Sequence, residues 1–129
     1  MSLRCLIVDD NAGFIAAARS LLEGQGISVV GTASSTIDAV QKVRELRPDV
    51  ALVDIDLGVD SGFDAARRLA DAASQSPPAV ILISTHDRDE FADLIETSPA
   101  VGFLAKTDLS AATIQQLLAA SDESDAAAG

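Results

Sequence analysis

A chain of 129 residues fits one domain, and a domain of that size buries roughly two-thirds of the surface its unfolded chain exposes. Its formal net charge of -11 works against nonspecific attraction to nucleic acid or anionic lipid, and its single cysteine, Cys5, excludes an intrachain disulfide or a CxxC pair. No apolar stretch approaches the ~18 residues of a membrane span and the N-terminus lacks a charged-then-apolar secretory pattern, so a cytoplasmic location is expected.

Leu3 to Val8 reads as a buried strand that carries Cys5. From about Ala12 to Glu23, Phe14, Ala17, Ala18, Leu21 and Leu22 recur at helical intervals until Gly24 and Gly26 end the run. Ile27 to Ala33 is a second strand. A helix follows from Ser35-Thr36, where an N-cap fits, through Ile37, Val40, Val43 and Leu46. Pro48 closes it, because the residue before a proline avoids helical geometry. Val50 to Val53 is short and wholly apolar, as a central parallel strand is, and the segment from Asp56 to Gly62 is a loop rich in turn formers. A third helix is predicted over Phe63 to Ala73, a strand over Ala79 to Ile83, a short helix near Arg88 to Glu96 and a strand over Val101 to Ala105. The last helix spans Ser110 to Ala120, with Ile114, Leu117 and Leu118 on its buried face. Residues 121–129 are acidic, small and aperiodic, and read as a flexible tail or the start of a linker after a domain of residues 1–120.

Five strands alternating with five helices predict a doubly wound α/β fold with a five-stranded parallel sheet. Right-handed crossovers then bring the C-terminal ends of all strands to one edge. Four of the five apolar runs stop there at residues able to handle a phosphoryl group or a metal. Leu6-Ile7-Val8 runs into Asp9-Asp10, Ala51-Leu52-Val53 into Asp54, Val80 to Ile83 into Ser84-Thr85, and Phe103-Leu104-Ala105 into Lys106.

Three carboxylates on one edge repel one another, by about 4 kcal/mol for two unit charges ~4 Å apart at an effective dielectric near 20. Lys106 relieves part of this, and a hard divalent ion would relieve more. Mg²⁺ suits a site with few carboxylates and several retained waters. Beside such an ion Asp54 is the natural nucleophile, since a carboxylate can take a phosphoryl group as an acyl phosphate. Phosphoryl transfer asks chiefly for positioning and charge neutralisation, and Ser84 can donate a hydrogen bond to a phosphoryl oxygen.

With an acidic pair, a strand-end Asp, a strand-end Ser and a strand-end Lys in that order, Arg4 to Leu118 resembles a response-regulator receiver domain of two-component signalling. The resemblance implies a flavodoxin-like sheet with strand order 2-1-3-4-5. It implies that Asp54 accepts a phosphoryl group from a sensor histidine kinase or phosphotransfer protein, with slow self-dephosphorylation and no enzymatic turnover. Asp9, Asp10, Asp54 and the backbone carbonyl of Asp56 would hold Mg²⁺. Ser84 would be the switch hydroxyl, Lys106 the phosphate-binding lysine and Phe103 the aromatic rotamer switch, while Gly62 matches the glycine of the loop after the phosphoacceptor. Output would pass to a protein or a homodimer through the face of the fourth helix, fifth strand and fifth helix, with no direct binding to nucleic acid and no membrane contact. Departures from the common pattern are Gly58 and Thr107, where proline is usual, and Thr85, where alanine is usual. Asp56 and His86 occupy the two variable positions that tune phosphoryl lifetime in such domains.

Two other resemblances are weaker. Asp54-Ile55-Asp56 resembles the DxD signature of haloacid-dehalogenase-type phosphatases, with Asp56 as general acid/base, but Gly58 stands where that family prefers Thr or Val and its DxD lies on the first strand. Gly102 to Thr107 ends in Lys-Thr but lacks the glycine before lysine that a P-loop requires. Nothing after Leu118 resembles a helix-turn-helix, whereas Lys106-Thr107-Asp108 is seen in receivers attached to LuxR-type DNA-binding domains. A stand-alone regulator is the favoured form, and the receiver part of a LuxR-type transcription factor is the alternative.

Overall fold

The computed structural model describes residues 3–57, 60–72, 77–85 and 88–128. Gly58 and His86, both singled out above, lie outside these residues. In chain order the elements are β1 (Arg4–Val8), α1 (Ala12–Gly24), β2 (Ser28–Ala33), α2 (Thr36–Leu46), β3 (Val50–Asp54), the short β4 (Asp56–Leu57) and β5 (Asp60–Ser61), and α3 (Gly62–Ala72). They continue with β6 (Ala79–Ser84), a 3-10 turn (Arg88–Phe91) leading into α4 (Ala92–Thr97), β7 (Gly102–Ala105), a 3-10 turn (Lys106–Asp108) and α5 (Ala111–Ala128).

The five longer strands form one sheet in the order β2-β1-β3-β6-β7, all neighbours parallel, which is the predicted 2-1-3-4-5 order when those strands alone are counted. Every residue of β3 is buried, as are all of β1 but Arg4, because helices cover both faces of these central strands. Alternate residues supply two cores. Leu6, Val8, Ala51, Val53, Val80 and Leu82 pack with Ala39 and Val43 of α2 and Ala66 and Leu69 of α3. Cys5, Ile7, Leu52, Ile81 and Ile83 pack with Ala18 and Leu22 of α1 and Ile114 of α5. Burial pushes the Cys5 thiol up from 9.0 to about 12, so it stays protonated and behaves as a small apolar core residue.

The helix ends follow the sequence chemistry. Asn11 caps α1 by accepting the Phe14 N–H at 3.0 Å, and Ser35 caps α2 by accepting the Asp38 N–H at 3.2 Å. Gly26, at φ 91°, makes the left-handed turn from α1 into β2. Arg47, at φ 49°, closes α2 ahead of Pro48.

Two expectations are corrected. The segment after β3 is not a simple loop, because Asp56 pairs with Ser61 and Leu57 with Asp60 in an antiparallel ribbon, pinned by the buried Leu57. The last helix does not stop at Ala120 but runs to Ala128, so most of the segment expected as an aperiodic tail is helical. Its composition explains this: residues 121–128 contain neither glycine nor proline, and three of the last four helical positions are alanine, the best helix former. Among the described residues no helix is long and apolar enough to cross a membrane.

Candidate functional site

Parallel pairing aligns the strand ends. Val8 lies beside Val53, Asp54 beside Ile83, and Ser84 beside Ala105. Asp9 just past β1, Asp54 closing β3, Ser84 closing β6 and Lys106 just past β7 therefore gather at one edge. Asp9 is fully buried, Asp54 is 6% exposed and Ser84 1%, whereas Asp10 faces solvent.

The Lys106 ammonium lies 2.7 Å from Asp9 Oδ2 and 3.2 Å from Asp54 Oδ2. Backbone amides fix the other two oxygens. The Asn11 N–H donates to Asp9 Oδ1 at 2.9 Å, and the Asp56 N–H donates to Asp54 Oδ1 at 3.0 Å. Asp9, Asp10 and Asp54 each offer a carboxylate oxygen, and the three oxygens lie within 4.8 Å of one another. Among the described residues Lys106 lies against two of these three carboxylates, Asp9 and Asp54. This all-oxygen set, short of positive charge, fits a hard divalent cation such as Mg²⁺.

Burial raises the pKa of Asp54 above the ordinary carboxylate value. The Asp56 N–H opposes this, the charge of Asp9 adds to it, and Lys106 lowers it again. For Lys106, burial disfavours the charge, but hydrogen bonds to Asp9 and Asp54 together with their charges outweigh that and hold its pKa above the usual lysine value. The lysine is therefore a permanent cation.

The remaining predicted residues are placed around this centre. The Asp56 side chain is exposed, and its backbone begins the ribbon that leads to α3. Phe103 is half-buried on the side of the sheet that carries α3 and α4, where it lines a shallow cavity with Ile95 and Leu117. Gly62 opens α3 directly against the backbone of Asp54 and Ile55.

Phe14, assigned by its spacing to the core stripe of α1, also belongs to the site, because the Lys106 ammonium sits over its ring at 4.3 Å from the centroid. The signal in the sequence is Asn11: an N-cap right after the acidic pair puts Phe14 in the first helical turn, at the same sheet edge.

A family model, the response regulator receiver domain, matches residues 5–119. The chain is 32% identical over 108 residues to response regulator GacA of Pseudomonas viridiflava, covering 81% of this chain and 48% of that protein. It is 33% identical over 109 residues to protein-glutamate methylesterase/protein-glutamine glutaminase 1 of Methanosarcina acetivorans, covering 82% of this chain and 30% of that protein. Among solved structures, the signal receiver domain of a modulated diguanylate cyclase from Desulfovibrio desulfuricans matches with a TM-score of 0.78 at 29% identity, covering 100% of both chains. The chain spans half or less of the length of these two curated relatives.

Proposed function

Because the chain belongs to the response regulator receiver domain family, we propose that its part in two-component signalling is to take a phosphoryl group onto Asp54 from a phosphohistidine of a sensor kinase or phosphotransfer protein. The observation that carries this reading is the buried Asp54 carboxylate, hydrogen-bonded to Lys106 and close to the oxygens of Asp9 and Asp10. An Asp54 oxygen attacks phosphorus, the phosphorus–nitrogen bond breaks, and its electron pair stays on the imidazole. No proton has to leave Asp54. Lys106, already at 3.2 Å from Asp54 Oδ2, is placed to hydrogen-bond an arriving phosphoryl oxygen, and Ser84 can donate to another. Asp9, Asp10, Asp54 and the Asp56 carbonyl would hold Mg²⁺, which when bound neutralises charge on the phosphoryl oxygens.

Intact-mass measurement after treatment with acetyl phosphate and Mg²⁺ tests the reading. One phosphoryl group per chain, absent from Asp54→Asn, is expected. Sustained hydrolysis of a generic phosphate ester with no adduct would instead support the DxD phosphatase. The reading makes this chain a phosphoacceptor and not an enzyme.

Asp10 is the exposed member of the cluster, and removing its charge leaves Asp9 committed to Lys106. Asp10→Asn should therefore weaken Mg²⁺ binding severalfold in calorimetric titration, and equal affinities would contradict this ligand set.

The signal would leave through Phe103. A phosphoryl group on Asp54 draws the Ser84 hydroxyl inward, freeing space beside β7 into which Phe103 turns, and the face of α4, β7 and α5 changes shape. Ser84→Ala should still accept phosphate but lose the response around Phe103 in amide-shift mapping with beryllofluoride. A full response in that variant would remove the coupling. An output protein or a second copy would bind this face, in the cytoplasm and without direct nucleic-acid contact. A second reading, the receiver part of a LuxR-type transcription factor, draws on the 30% identity over 105 residues to a putative transcriptional regulator of Pseudomonas aeruginosa.

A further inference from the structure

Among the described residues the Lys106 ammonium lies against two carboxylates and one aromatic ring. Besides Asp9 at 2.7 Å and Asp54 at 3.2 Å, it sits 4.3 Å from the centre of the Phe14 ring. The ring is anchored to the same structure as Asp9. The Asn11 side chain accepts the Phe14 N–H at 3.0 Å while the Asn11 backbone N–H donates to Asp9 Oδ1 at 2.9 Å. One residue thus ties the ring's backbone and the buried carboxylate together.

A ring face attracts a cation through its quadrupole without taking up a directed hydrogen bond. Lysine has three N–H donors; one is donated to Asp54, Asp9 is an ion-pair contact at 2.7 Å, and the ring contact takes up no directed donor. When Asp54 is phosphorylated from acetyl phosphate, a bond forms from its carboxylate oxygen to phosphorus as the phosphorus–oxygen bond to acetate breaks. Negative charge then lies on the phosphoryl oxygens rather than on Asp54, and the ammonium must follow it. A long lysine stem loses much rotamer entropy when it is held in one place. The Lys106 side chain is only 12% exposed, and the ring supplies a contact that persists through the exchange.

We propose that Phe14 is a positioning residue for phosphoryl uptake, holding the Lys106 ammonium by a cation–π contact while its hydrogen bond passes from Asp54 to the phosphoryl group. This rests on Asp54 being the phosphoacceptor. An aliphatic side chain would fill the same space without attracting the charge, so Phe14→Leu and Phe14→Tyr separate the two roles.

The test uses the full chain and two readouts. By NMR, the ε-methylene protons of Lys106 should be shifted upfield by the ring in the wild type and in Phe14→Tyr, and should lose that shift in Phe14→Leu. Uptake from acetyl phosphate with Mg²⁺ should be about fivefold slower in Phe14→Leu. Phe14→Tyr should recover most of the rate, and Phe14→Leu should add nothing in a Lys106→Met background. Equal rates in folded wild type and Phe14→Leu overturn the inference, as does the same loss with Lys106 already removed, which marks a packing role. If Phe14→Leu does not fold, Phe14→Met, flexible and adaptable in packing, decides by the same comparisons. A wild type that takes up no phosphoryl group overturns the receiver reading, while the ring shift still reports whether Phe14 holds Lys106.

Discussion

Gly62→Ala should unfold at a midpoint roughly 10 °C below the wild type, a loss of about 3 kcal/mol, at the upper end of what overpacking costs. Gly62 is the first residue of α3, and its N–H donates to Ile55 O at 3.0 Å. A Cβ there would be driven into Asp54 O and the Ile55 Cα, with Asp54 C at 2.8 Å. These atoms are backbone at the end of a central strand and cannot swing aside. What would move is Asp54 itself, so the variant should also accept phosphate more slowly. Gly102→Ala is the control, since the three atoms nearest its Cβ all belong to the side chain of Leu117, which can change rotamer. Thermal unfolding followed by circular dichroism decides the matter, and a Gly62→Ala midpoint equal to that of Gly102→Ala would contradict the steric argument.

Lys106→Met should cost about 3 kcal/mol in metal-free buffer at neutral pH, because removing one partner leaves buried charge uncompensated. Methionine keeps an unbranched stem, so the loss reports the charge rather than the packing. Asp9 is fully buried and Asp54 nearly so, and without the ammonium the two carboxylates face each other unrelieved. The pKa of Asp54, already raised by burial, would climb further once the lysine that lowers it is gone. A carboxyl whose folded pKa lies above its unfolded value contributes stability that is complete below the unfolded value and is lost as pH rises through the folded one. The gap between variant and wild type should therefore narrow as pH falls from about 7 towards about 4. Mg²⁺ should narrow it as well. Urea titrations at several pH values measure this, and a gap that widens on acidification would sink the argument.

The fold was largely legible because its signals are local. The runs around Ile7, Leu52 and Ile81 are apolar throughout, as strands covered on both faces must be, and Ser35 and Pro48 mark the start and end of α2 by rules acting within a few residues. The misreadings were also local in form. Turn formers between Asp56 and Gly62 concealed a ribbon whose anchor is the burial of Leu57, and acidic residues after Ala120 concealed a helix that alanine sustains. Asp9, Asp10, Asp54, Ser84 and Lys106 were legible as a set because each sits where an apolar run ends, which makes Asp54 and Lys106 stand out without any knowledge of their separation.

The sequence by itself determined the alternation of strands and helices and the chemistry delivered to one sheet edge, since both depend on residue types and spacing along the chain. Only the tertiary structure decided how that chemistry is divided. Asp9 is buried against Lys106 while its neighbour Asp10 faces water, a difference that two identical side chains cannot announce. Lys106 reaches Asp54 from 52 residues away, and the ring beneath it comes from a helix whose spacing reads only as core. Burial and contact are properties of elements brought together across the chain, so they emerge only when the sheet closes and its helices settle on both faces.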